Sequence, residues 1–354
     1  MKANNPTTLS EKLLTGASAT SRNGIRKWSG WQTLANVPAP TGGLALACFS
    51  LASALVLFAG LNASYAGALE FLAGVFLTMA TVWLVPVVVK YLVHSRLLKS
   101  ELAHPVVGSV LPTTSMALMV ATSWLVKSEF VALQMVAETV WVAAVALHLL
   151  LLLGFASKQS RGFTLNKVVP SWFVPPIGIV AACVTAPAFG LELLTQPLFW
   201  FGLLFYAIQL PVVMYRLLFA EKIPESALCT LAIMGAPPSL LLAGYLSAFA
   251  QPEPVLVLLL APLALLMTGL VYLALLKLLR LSFSPGYAAM TFPLVIGATA
   301  QLLLSEWAVA QQMSMLADVA AIAGKFELSV AFVIVSYVCA HYLCAFMRAM
   351  KKAA

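Results

Sequence analysis

Ten stretches of this chain, each 18 to 26 residues long and largely apolar, limit what it can fold into. A helix that crosses a bilayer needs about 20 such residues, and every stretch meets that length or nearly so. They run Pro38–Leu61, Ala66–Tyr91, Val106–Leu125, Phe130–Phe155, Trp172–Phe189, Leu198–Leu218, Ala227–Phe249, Pro254–Leu279, Ala288–Trp307 and Leu328–Met347. Hydrophobic residues make up 62% of the chain and charged ones 9%. A soluble domain averages about half and about a quarter, and could not hide this much apolar surface. A cytosolic enzyme and a nucleic-acid binder are excluded, as is disorder beyond the N-terminal tail. The expectation is an all-α integral membrane protein in a lipid bilayer. A polar, basic cytoplasmic tail (1–36) would lead into a ten-helix transmembrane domain (37–348) and a short cytoplasmic tail (349–354). The first 36 residues lack the short apolar stretch and cleavage site of a signal peptide.

The formal net charge of +8 reports topology. With the N-terminus inside, eighteen of the twenty basic residues fall on the cytoplasmic side, leaving only Lys127 and Lys325 outside. Eight of the twelve acids, Glu327 among them, then lie toward the opposite side. That is the positive-inside distribution, with both termini cytoplasmic. The five cysteines sit in apolar spans without metal-ligand spacing and read as small buried thiols. Neither a cofactor nor a metal is expected.

Prolines carry the internal pattern. The first, third, fifth, seventh and ninth spans each contain one followed by small residues: Pro40, Pro112, Pro175-Pro176, Pro237-Pro238 and Pro293. Successive intervals of 72, 63, 62 and 56 residues each match one helical hairpin. Proline removes a backbone donor and bends a helix, and in lipid the freed carbonyl must be satisfied by other helices or a wet cavity. The economical arrangement is five hairpins around a centre, with bent odd helices inside and even helices facing lipid.

The residues at these breaks resemble a known family. His104-Pro105 with Leu111-Pro112-Thr113-Thr114, then Pro170 to Gly178, Pro224 to Pro238 and Phe283 to Pro293 resemble, in order, four segments of the tellurite-resistance/dicarboxylate transporter (TDT) family. That family includes bacterial tellurite-resistance proteins, fungal malate and sulfite carriers and the plant guard-cell slow anion channel. The resemblance implies ten helices as five hairpins in quasi-fivefold arrangement, a central anion pore lined by odd helices, and a homotrimer. It implies the bacterial inner membrane as location. A phenylalanine plugs the pore in the family, and the matching position here is Phe292. Candidate pore-lining residues at the breaks are Thr41, Gly42, Pro112, Thr113, Pro175, Pro176, Gly178, Pro237, Pro238, Thr291 and Pro293. The chain departs from the family at Ala288 and Ala289, where many members carry bulkier residues.

No Lys or Arg falls at the middle of any span. A carrier gripping a dicarboxylate would be expected to offer a fixed cation. A permissive path for small monovalent anions needs none, and a positive inner mouth can contribute selectivity. The expected function is passive, channel-like anion transport, with a proton-coupled carrier of C4-dicarboxylates, sulfite or tellurite-type oxyanions as the alternative. The hydroxyls of Thr41, Thr113, Thr114, Ser115, Ser239 and Thr291 either solvate an anion or bond back to their own helices. Glu138, His148 and His341 lie on even spans, where packing roles are expected. No cluster of acids or histidines marks an intramembrane enzyme.

Overall fold

The computed structural model describes residues 34–61 and 63–353. Most of the expected N-terminal tail lies outside the described residues. Among those described there is no strand. Among the described residues nine helices are long and apolar enough to cross a membrane, and ten when the bent pair Ser95–Leu102 and Val107–Leu125 counts as one span. In order, the spans are Thr41–Leu61, Ala66–Val93, Val107–Leu125 with its bent forerunner, Val131–Ser160, Pro170–Ala188, Glu192–Phe219, Glu225–Ala248, Pro254–Leu278, Pro285–Ala310 and Ser314–Arg348. The last helix continues to Ala353.

Burial sorts these spans into two layers. The first, fifth, seventh and ninth are 67, 78, 89 and 83% buried. The second, fourth, sixth, eighth and tenth are only 33, 28, 22, 39 and 33% buried. The third joins the inner layer through Pro112, Ser115, Met116, Ala117 and Met119. Each odd span packs against the even span that follows it. Within the inner layer, first meets third, third meets fifth, fifth meets seventh, seventh meets ninth, and ninth returns to first.

Proline explains why the inner layer is irregular. Pro112, Pro175, Pro237 and Pro293 each sit in the first turn of an α-helical segment, where a missing N–H is tolerated. The backbone leading into the segments of the seventh and ninth spans is 3₁₀ helix, over Glu225–Gly235 and Pro285–Met290. The fifth span alternates short 3₁₀ and α pieces along its whole length. Freed carbonyls find donors in neighbouring spans. Pro176 cannot bond back to Trp172, whose carbonyl instead accepts from Gln209 Nε2 of the sixth span at 3.4 Å.

The third span begins after a 116° bend from the Ser95–Leu102 helix. Gly108 permits that bend, because a Cβ there would strike the carbonyl oxygen of Leu102. Gly108→Ala should therefore destabilise the protein by roughly 1–3 kcal/mol, as overpacking against rigid backbone does. Gly269→Ala, on an eighth-span face with nothing within 4 Å, should be neutral or slightly stabilising. Thermal unfolding in detergent micelles checks both.

Candidate functional site

The N-terminal halves of the odd spans line a cavity of about 70 Å³. The first span contributes Pro40 and Gly43, the third Val106, Val107, Val110, Thr113 and Met116, and the fifth Phe173, Val174, Ile177 and Gly178. The seventh contributes Ser226, Cys229, Thr230, Ile233, Ala236, Pro237 and Leu240, and the ninth Gly286, Ala288, Ala289, Phe292 and Pro293. Among the described residues no even span supplies a wall residue, and no charged or imidazole side chain lies on the wall.

Five residues expected at a lumen lie on this wall: Thr113, Gly178, Pro237, Phe292 and Pro293. Thr41, Gly42, Pro112, Pro175, Pro176, Pro238 and Thr291 do not; they are buried between inner helices. Neighbouring residues on a helix point about 100° apart, so Pro112, Pro238 and Thr291 turn into the packing beside Thr113, Pro237 and Phe292 on the wall. Gly42 shows the fit, since a Cβ there would collide with Thr114 Oγ1. Phe292 is half-buried on the wall, and Ala288 and Ala289 line it beside the ring.

Four of the six hydroxyls bond back to their own helices. Thr113 Oγ1 donates to Val110 O at 2.7 Å, Ser115 to Pro112 O at 2.7 Å, Ser239 to Gly235 O at 2.9 Å and Thr291 to Ala288 O at 2.7 Å. Thr41 and Thr114 are buried off the wall. On the wall itself Thr113 and Thr230 turn their hydroxyls onto their own backbone, which leaves the surface largely apolar.

The comparisons with known proteins agree with this geometry. Residues 36–347 match the family described as voltage-dependent anion channel, SLAC1. The chain belongs to that family. No curated protein matches it. Membership establishes anion transport across a membrane by a multi-pass protein, and the resemblance to the TDT family is borne out.

In a member of the voltage-dependent anion channel family the placement of cations matters. Lys90 and Arg216, both expected near inner ends of spans, are 2% exposed and tied into the fold. Lys90 Nζ donates to Glu101 Oε1 at 2.6 Å and to Val37 O at 2.8 Å, while Tyr91 donates to Glu101 Oε2 at 2.6 Å. Arg216 donates to the carbonyls of Glu221 and Asn166. Neither side chain lies on the cavity wall.

His104 fastens the bend of the third span. Its Nδ1 accepts from the backbone N–H of Val106 and of Val107, each at 3.2 Å. Val106 and Val107 line the cavity, so this ring positions part of the wall. His148 reaches further inward than its even span implied. Its Nε2 donates to Pro175 O at 2.9 Å, its Nδ1 lies 3.1 Å from Ser115 Oγ, and its ring packs against Gly178. Glu138 is exposed on the outer layer, and His341 stacks on Phe283 with centroids 5.0 Å apart. Four cysteines are buried, but Cys344 is exposed. Cys48 and Cys339 bring their sulfurs to 3.5 Å, joining first and tenth spans.

Glu327 corrects the sequence reading. It was expected outside the tenth span, yet the helix starts at Ser314 and buries it at 2% exposure. A helix can begin on polar residues as long as its inward face is apolar or small, which hydropathy averaged over all faces conceals.

Two outcomes follow. Glu101→Gln should destabilise the fold by about 3 kcal/mol, because it leaves Lys90 buried and uncompensated. Pairing it with Lys90→Met should recover much of the loss in thermal unfolding. His104 has its pKa held below the ordinary 6.5 by burial. The neutral ring is the form that accepts both N–H groups, so its contribution is complete at neutral pH and is lost as pH falls through that lowered pKa. His104→Ala should flatten the acid limb of a stability-versus-pH curve.

Proposed function

We propose that this protein conducts small monovalent anions passively through the central cavity, with Phe292 as its gate. The carrying observation is a cavity walled by all five odd spans, free of charged side chains among the described residues, with the Phe292 ring on its surface. An apolar constriction stops ions by excluding water, and a phenylalanine ring is suited to that role. The closed circuit of contacts among the odd spans supports a quasi-fivefold arrangement of five hairpins around that path.

The sign of selectivity has a physical source other than a fixed cation. Alternate crossings make the odd spans run in one direction, so their N-terminal ends gather at the cavity. Each helix end carries partial positive charge and unpaired N–H groups. Several such ends attract an anion without gripping it, which favours passage over tight binding. With the N-terminus inside, the cavity opens toward the cytoplasm. A homotrimer in a bacterial inner membrane, with both termini cytoplasmic, completes the proposed arrangement.

Replacing Phe292 by Ala should raise anion current through purified protein in planar bilayers by about tenfold or more, equivalent to removing 1.4 kcal/mol or more of barrier. Equal currents in both proteins would remove Phe292 from the gate. Proton-linked malate or sulfite uptake into liposomes, with no current in either protein, would establish the carrier instead.

A further inference from the structure

Away from the cavity, a second polar locus lies among the eighth, ninth and tenth spans. The carboxyl of Glu327 fills the notch left by Gly297: a Cβ there would meet Glu327 Oε2 and would lie 3.4 Å from Thr268 Oγ1. Glu327 Oε2 and Thr268 Oγ1 are both buried without a hydrogen-bond partner. Gln301, one helical turn beyond Gly297, buries both amide atoms in the same condition. The phenol oxygen of Tyr272, one turn beyond Thr268, is also buried without a partner.

No basic residue compensates this carboxyl among the described residues. Their one ion pair is Lys90–Glu101. From the eighth span Tyr272 is close enough to feel the charge of Glu327, and Lys277 stands at the far end of that helix. The ninth span carries only Glu306, exposed and more than two turns away. On the tenth span Asp318 and Lys325 are exposed. The first span brings only Cys48, which lies against Cys339.

A carboxylate buried without counter-charge in a membrane costs several kcal/mol, and such groups mark function. Glu327 Oε2 and Thr268 Oγ1 meet at the Gly297 notch, Gln301 and Tyr272 stand one helical turn along, and all offer hard oxygens, which suit a hard cation. We propose that Glu327, with Thr268 and Gln301, forms a binding site for a small monovalent cation, a hydron or a sodium ion, inside the membrane and separate from the anion cavity. Gly297 lies on the helix that begins at Phe292, so occupancy acts on the same helix that carries the proposed gate.

The test uses purified wild-type protein and Glu327→Gln, read by infrared difference spectra and by thermal unfolding. In buffers whose cation is N-methylglucamine, acidification should bring up a D₂O-sensitive carboxylic acid band in the wild type that Glu327→Gln lacks; that result identifies a hydron. Alternatively, sodium added at constant ionic strength should raise the unfolding midpoint of the wild type only, which identifies sodium. Thr268→Val, which keeps the side-chain shape and also serves if Glu327→Gln does not fold, should weaken the responding equilibrium about threefold to tenfold through one lost hydrogen bond. The proposal is overturned if neither pH nor sodium separates wild type from these variants. Both readouts work without anion flux, so this site and the conduction pathway stand or fall separately.

Discussion

Inside a bilayer a backbone polar group without a partner has no water to turn to, and the fifth, seventh and ninth spans of this chain carry proline-led starts and irregular 3₁₀ backbone. Spans broken in this way are unstable against lipid and must be surrounded by helices that can satisfy them. The even spans run as continuous helices, across Pro86, Pro197, Pro211 and Pro262, and they supply donors to the irregular fifth span: Gln209 to Trp172 O, and His148 to Pro175 O. The two-layer construction follows from that one requirement. The exposed apolar faces of the even helices, such as Leu150, Leu153, Leu266 and Leu273, are then surface adapted to a hydrocarbon solvent.

The same requirement accounts for the character of the cavity. Helical segments that start at proline pack closely at Gly42 and Gly178 and turn their hydroxyls onto their own backbones. What remains on the wall is mostly Val, Ile, Ala, Pro and Phe, with three glycines, Met116, Cys229, Leu240 and the hydroxyl residues Thr113, Ser226 and Thr230. The basic residues at the inner ends are drawn into structural work, Lys90 to Glu101 and Arg216 to two carbonyls. Such a path offers an anion the weak field of helix ends and little to bind to, which suits fast passage better than capture.

Much of this was legible in the amino acids. Proline spacing located the breaks, and the flanks of Phe292 located the one aromatic on the wall that matters to the proposal. Pairs such as Thr291 and Phe292 were separated only by the structure, because facing a cavity depends on helix phase within irregular 3₁₀ backbone. Glu327 was missed because a hydropathy window rejects a charged residue and moves the helix start past it. A periodic signal was nevertheless present: Ala317, Ala320, Gly324, Glu327, Ala331 and Val335 recur at helical spacing, and all are buried. His148 lies on a comparable stripe with Ala137, Trp141, Ala144 and Leu151, which marks it as facing inward. Neither stripe states which polar atoms it will meet across the interface.

The central claim is that anions cross by an uncoupled path selected without a fixed cation. Its most direct measurement is the reversal potential of Phe292→Ala in planar bilayers under a tenfold chloride gradient. The account predicts a potential of anionic sign approaching the Nernst limit of about 59 mV, unchanged when a pH gradient is imposed. A reversal potential near zero or of cationic sign, or one that follows the pH gradient, would contradict it.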